Sequence, residues 1–166
     1  MLRHLLAIGV LPFTVTVLVP WWIARRNGLT LGVGSFTGQL AAQSAGVALL
    51  GVGIVLFVAS LRQFATEGRG TLAPWDPPRS LVIRGPYRYV RNPMISGVGF
   101  VLLGEALVLL SRPHLAWALT FVGINAVYIP LFEEPQLERR FGEAYRKYCR
   151  HVPRLLPRLR PWLGST

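Results

Sequence analysis

An all-α integral membrane protein, with about four transmembrane helices and a C-terminal amphipathic interfacial helix, is the fold class this sequence predicts. Three observations predict it. Apolar residues make up 52% of the 166 positions and charged residues only 15%, against about 25% charged in ordinary soluble domains. The apolar residues gather into four runs near the roughly 17–25 residues that a spanning helix needs. The charge, formally +11, gathers outside the runs and mostly on one side. A mean hydropathy of +0.43 argues against a nucleic-acid-binding domain, which would not spend its length on apolar runs. The single cysteine, Cys149, permits no internal disulfide and reads as a packing residue.

The first run extends from about Leu5 to Ala24 and carries Pro12 and Pro20, which lipid-embedded helices tolerate. It ends in Trp21-Trp22-Ile23-Ala24-Arg25-Arg26 rather than in small residues before a cleavage site, so it reads as a span with an interfacial aromatic belt and not as a signal peptide. The second run extends from about Leu40 to Leu61, the third from Met94 to Leu110 and the fourth from Leu115 to Phe132. Ser111-Arg112-Pro113-His114 joins the last two as a short antiparallel connection. With four crossings, Arg25, Arg26 and Arg112 stand on one side, leaving 15 of the 18 Lys and Arg residues on the other. That asymmetry orients both termini and the loop from Arg62 to Asn92 toward the cytoplasm, and anionic lipid headgroups account for the basic charge.

The long inner loop is rich in turn signals. Thr71–Ser80 reads TLAPWDPPRS, and Gly85-Pro86 and Asn92-Pro93 follow. Pro93 suits the first turn of the third helix, where its missing N–H costs nothing. Tyr87 and Tyr89, with arginines between them, are either groove-lining residues or an interfacial anchor. The third helix opens with Ser96-Gly97-Val98-Gly99, whose glycines serve either close helix packing or the approach of a ligand to bare backbone. Glu105 lies deeper in the same run. An ionisable residue there is a functional candidate by default, or it pairs with Asn125 or takes up a proton. The fourth run ends in Phe132-Glu133-Glu134-Pro135, an acidic pair fit for a cation or for capping a new helix that starts near Pro135. Leu137, Phe141, Tyr145 and Tyr148 then keep helical spacing with basic residues between them, as a helix on the membrane surface would. Val152-Pro153-Arg154-Leu155-Leu156-Pro157 ends it.

Leu81–Gly97 followed by Glu133–Pro157 resembles the isoprenylcysteine carboxyl methyltransferase and phospholipid methyltransferase superfamily. The matching fragments are Gly85 to Pro93 (GPYRYVRNP), Gly97-Val98-Gly99, Glu133-Glu134 with Leu137, Phe141-Gly142-Glu143-Ala144-Tyr145 with Tyr148, and Val152-Pro153. The resemblance implies a methyltransferase embedded in the membrane, dependent on S-adenosyl-L-methionine and lacking a Rossmann domain. It implies a single domain over 1–166, with two N-terminal helices in 1–61 and the cofactor-binding half in 62–166. By the same resemblance Ser80, Leu81 and Val82 clamp the cofactor and Tyr87 lines its pocket. Asn92, Pro93, Met94 and Ile95 stand where the family has its His-Pro-x-Tyr segment, Asn92 replacing the frequent histidine and Ile95 the tyrosine. Gly97 and Gly99 match the Gly-x-Gly signature of the phospholipid branch, and Glu133 and Glu134 its acidic pair. The substrate arginine of the prenylcysteine branch corresponds to Ile129.

The implied acceptor is lipophilic: a phospholipid amine, a prenylcysteine carboxylate or a small lipophilic thiol, reached at the cytoplasmic face. For an amine, Glu105 or the Glu133-Glu134 pair would be the nearby bases, with Glu105 the catalytic candidate. His4, His114 and His151 lack ligand spacing, so no metal is expected. Two alternatives are a membrane sterol-type reductase using NADPH, whose relatives have many more spanning helices, and a non-enzymatic membrane scaffold, which would have no reason to gather Glu133, Glu134, Gly97 and Gly99.

Overall fold

In lipid no water satisfies a backbone N–H or C=O, so an apolar run must close its own hydrogen bonds as a helix. The computed structural model describes residues 10–29, 36–67 and 81–164, and among these no strand occurs. A π-helical segment, Thr14–Leu18, leads into α1 (Val19–Arg26); α2 is Thr37–Glu67, α3 is Pro93–Val108 and α4 is Arg112–Tyr128. A second π-helical segment, Ile129–Glu133, continues α4 into α5 (Glu134–Phe141), and α6 is Glu143–His151. Thr37–Gln63 spans 27 residues and Arg112–Phe141 spans 30, both apolar and long enough to cross a membrane. Their exposed side chains include Val47, Val52, Ile54 and Val55 on α2 and Leu119, Ile124 and Val127 on α4, which a bilayer would cover. Pro93–Val108 is apolar but has only 16 residues. Of the first predicted span, residues 5–9 lie outside the described residues.

Two sequence expectations need correction. Arg112 already belongs to α4, so the link after α3 is shorter than Ser111–His114. A helix does start at Glu134 with Pro135 in its first turn, but it continues the helix before it, so the chain stays helical from Arg112 to Phe141. A π turn opened by Pro130 lies directly upstream, and such widened turns are where helices commonly carry prolines. The break falls instead at Gly142, whose φ of 55° and ψ of −131° end one helix and begin the next. That conformation is open to glycine and strained for other residues, so the amphipathic stretch is two short helices.

The chain divides into two compact units, Met1–Val55 with Gly97–Val122, and Leu56–Ser96 with Gly123–Thr166. The first is held by close backbone packing between α2 and α3. A Cβ on Gly46 would meet the Gly104 carbonyl at 2.8 Å, and one on Gly53 would meet the Gly97 carbonyl at 2.7 Å. Gln43 adds a bond from Nε2 to the Val108 carbonyl, 3.0 Å. Leu110, with φ of 48°, closes α3 in a left-handed cap in which the Ser111 N–H reaches the Ala106 carbonyl, 3.0 Å. His114 is fully buried there. One ring nitrogen meets the Ser111 hydroxyl at 2.8 Å and the other the Pro20 carbonyl at 3.1 Å, a structural tie.

In the second unit, Tyr145, Tyr148 and Val152 form a buried cluster flanked by Leu81, Ile83, Leu137 and Phe141. The segment after α6 runs back along residues 88–92. The Arg91 and Asn92 N–H groups donate to the carbonyls of Pro153 and Arg154, and those of Arg158 and Trp162 donate to the carbonyls of Tyr89 and Arg88.

Candidate functional site

The second unit collects most of the residues singled out from the sequence. Gly85, with φ of 53°, turns the chain into the 3₁₀ helix Gly85–Arg88. Tyr87 leaves that turn with its own carbonyl fixed by the Tyr148 hydroxyl, 2.6 Å. Burial first, and the neighbouring charge of Glu133 second, hold the Tyr87 hydroxyl above its ordinary range. Tyr87 therefore stays a neutral donor beside an acid. Leu81 packs on the tyrosine cluster and Val82 is buried, while Ser80 lies outside the described residues. Asn92 caps α3 and approaches the Arg154 carbonyl through its backbone N–H, 3.2 Å. Pro93 is fully buried, and Met94 and Ile95 are half-buried. The Ser96 hydroxyl lies 2.5 Å from the Leu155 carbonyl and 2.9 Å from that of Asn92, so one proton serves either.

The two acids differ sharply. Glu134 accepts a fork from Arg154, Nε at 2.7 Å and Nη2 at 2.9 Å, and a further contact from Arg91 Nη1 at 2.9 Å. The Arg91 side chain is only 10% exposed. Its Nε is buried without an acceptor among the described residues. Glu133, half-buried one residue earlier, makes no ion pair or hydrogen bond among the described residues. Arg91 and Arg154 are partners of the acidic pair that the sequence does not single out. A signal is present: with seven Asp and Glu against 18 Lys and Arg, a half-buried acid should serve more than one arginine. The hydrogen bond and the charge of Glu134 hold Arg154 firmly protonated.

A cavity of about 370 Å³ opens beside this cluster, lined by Arg91, Arg146, Arg150 and Arg154 with Glu134 and Glu138 among others. Its arginines close on carboxylates: Arg146 meets Glu138 at 2.6 Å and Glu143 at 3.5 Å, and Arg150 pairs with Glu143. Four arginines meet three carboxylates, so the rim around Glu134 is largely but not fully neutralised. The remaining candidates, Gly97, Gly99 and Glu105, belong to the first unit. A Cβ on Gly99 would make ordinary contact with Val122 at 3.6 Å. Glu105 Oε2 is buried and lacks a hydrogen-bond partner among the described residues.

A cationic group fits this arrangement at one place. Glu133 is a half-buried acid within electrostatic reach of the Tyr87 hydroxyl and with no counter-cation among the described residues, whereas Glu134 already has two. A sulfonium or ammonium group would neutralise Glu133 without competing with an arginine.

A family model described as phospholipid methyltransferase matches residues 41–144. The methanethiol S-methyltransferase 2 of Bradyrhizobium diazoefficiens is 36% identical over 102 residues, covering 60% of this chain and 36% of the relative. The methanethiol S-methyltransferase of Pseudomonas deceptionensis is 39% identical over 48% of this chain and 29% of its own length. That of Mycobacterium tuberculosis is 38% identical over 43% and 28%. The matched part of the chain thus spans about a third of each of these relatives. No solved structure matches the chain significantly.

Proposed function

The chain belongs to the phospholipid methyltransferase family, and on that premise we propose that it transfers a methyl group from S-adenosyl-L-methionine to a small lipophilic acceptor at the cytoplasmic face of a membrane. The observation that carries this reading is the contrast between Glu133, a half-buried acid without a cation, and Glu134, an acid bound to two. When bound, S-adenosyl-L-methionine supplies an electrophilic methyl group on a positively charged sulfur. Glu133 would face that positive charge and Tyr87 would donate its neutral hydroxyl nearby. Glu134 acts one step removed, by fixing Arg91 and Arg154, and through the Arg154 carbonyl the position of Asn92. Leu81, Val82, Pro93, Met94 and Ile95 would supply apolar walls that exclude water, with Ser80 kept as a further contact. Holding two reactants in line supplies about 7–11 kcal/mol of a barrier in favourable cases, and such a site needs little more.

Among acceptors we favour a small thiol, because the similar proteins of three bacteria are named for methanethiol. A phospholipid amine, which the family's name suggests, is the second reading. Glu105, with one buried oxygen lacking a partner among the described residues, is the group we assign to the acceptor's proton. The topology that serves this reading has four crossings and both termini in the cytoplasm. Two helices already have the length for it, with Pro93–Val108 and the helix ending at Arg26 completing the set.

Titration calorimetry with S-adenosylhomocysteine, backed by a thermal-shift measurement, tests the cofactor. Binding with a raised melting temperature is expected, as for any native-state ligand; a shift with NADPH alone would instead favour a reductase. Methyl transfer from labelled cofactor to methanethiol or to phosphatidylethanolamine in nanodiscs separates the two acceptors.

A further inference from the structure

The segment after α6 exposes leucines that none of the described residues of the second unit covers. Leu156 is 73% exposed, Leu159 99% and Leu163 74%. Leucines on a loose tail could fold away from water at little cost, but this segment is held. Four backbone hydrogen bonds tie it to residues 88–92. Arg154 is clamped on Glu134, and the Arg158 guanidinium donates to the His151 carbonyl at 2.6 Å. Trp162 stacks on His151, ring centroids 5.2 Å apart, and leans on Tyr148 at 5.9 Å. Pro153, Pro157 and Pro161 stiffen the backbone and bar a helix. A fixed backbone therefore presents the three leucines outward, with Arg154, Arg158 and Arg160 interleaved among them.

We propose that residues 154–163 form a membrane-inserted strap, its leucines Leu156, Leu159 and Leu163 buried at the boundary between headgroups and acyl chains of an anionic bilayer. Two features select lipid as the occupant. The same unit exposes Ile124, Val127, Leu131 and Phe132 on a helix long and apolar enough to span, so a bilayer is at hand. Leucine beside arginine is the pattern of interfacial segments, and with Arg154 and Arg158 held inside the unit the exposed Arg160, next to Leu159, is the cation that would reach up to an anionic headgroup. The strap would thereby join the lipid surface to the loop that carries Tyr87 and Asn92. The proposal rests on the membrane reading of the chain, and the test separates the two.

Spin labels on single cysteines introduced at Leu156, Leu159, Leu163, Arg160 and Ile124 would be read in the full chain, in nanodiscs of phosphatidylcholine and phosphatidylglycerol. The parent chain, with its Cys149, serves as the blank. Collision with oxygen, which concentrates in lipid, is compared with collision with a water-soluble nickel chelate. The oxygen-to-nickel ratio at the three leucine positions is expected to be several-fold above that at Arg160 and to approach that at Ile124. If the leucine positions match Arg160 while Ile124 stays high, the membrane reading stands and the strap does not insert. A low ratio at Ile124 as well overturns both.

Discussion

The two units of this chain are held by opposite means. In Met1–Val55 with Gly97–Val122, α2 and α3 approach until the backbone at Gly46 lies on that at Gly104 and Gly53 on Gly97. Few polar side chains take part. In Leu56–Ser96 with Gly123–Thr166, two arginines share one glutamate, a tyrosine hydroxyl fixes a carbonyl and four backbone bonds lash one segment to another. Each kind of force acts where its surroundings favour it. Between apolar helices in lipid the hydrophobic effect offers no gain from association, so dispersion between close backbones must serve. A unit that gathers this much charge must neutralise what it buries.

The largest effect that tests this contrast is expected at Glu134. Glu134→Gln leaves Arg91, nine-tenths buried, without its carboxylate, and breaking a buried pair costs about 3–5 kcal/mol. Thermal unfolding in detergent should show a large drop in melting temperature, with loss of S-adenosylhomocysteine binding. An unchanged transition would mean the ion cluster does not hold its unit. Next comes Gly104→Ala, whose new Cβ would sit 2.8 Å from the Gly46 carbonyl and 2.9 Å from the Leu50 nitrogen. Overpacking of that kind costs about 1–3 kcal/mol. Gly99→Ala, meeting only Val122 at 3.6 Å, should unfold like the parent, so the pair measures the close approach itself by denaturant titration.

Glu133→Gln should melt as the parent does but bind S-adenosylhomocysteine and, more strongly, S-adenosyl-L-methionine less well. For the methionine form a lost charge-assisted contact of about 1.5–3 kcal/mol corresponds to about ten- to hundredfold in affinity. Calorimetry on Glu133→Gln and Glu134→Gln side by side would sink our assignment if the first bound as tightly as the parent. The smallest effect is expected for Tyr148→Phe, which removes only the bond to the Tyr87 carbonyl. About 1 kcal/mol of stability should be lost, with a loosened Tyr87 turn visible as faster amide exchange at residues 87–90.

The long helices were legible because nothing interrupts their apolar runs: Leu40–Leu61 falls inside Thr37–Glu67, and Met94–Leu110 nearly coincides with Pro93–Val108. The break at Gly142 was not, because Leu137, Phe141, Tyr145 and Tyr148 keep helical spacing on both sides of it. Two short helices packing on one cluster imitate one long one. The acidic pair was legible as a pair, but its division of labour was not. Arg91 and Arg154 lie far from Glu134 along the chain, and only the fold decides which acid they choose. Glycine spacing was legible at Gly97 and Gly99, although the seven-residue step shared by Gly46 with Gly53 and Gly97 with Gly104 was equally visible and marks the packing seam.

The π-helical turn at Ile129–Glu133 has a consequence for how this helix can change over generations. Such a turn holds one residue more than an α-helical turn would, and each residue rotates the rest of the helix by about 100°. Upstream, the helix answers to whatever surrounds Ile124 and Val127; downstream, it answers to the arginines that grip Glu134. The extra residue works as a vernier between two gears, letting either face drift without dragging the other out of mesh. Deleting Leu131 would remove that play, and the acids would swing away from the partners they now address.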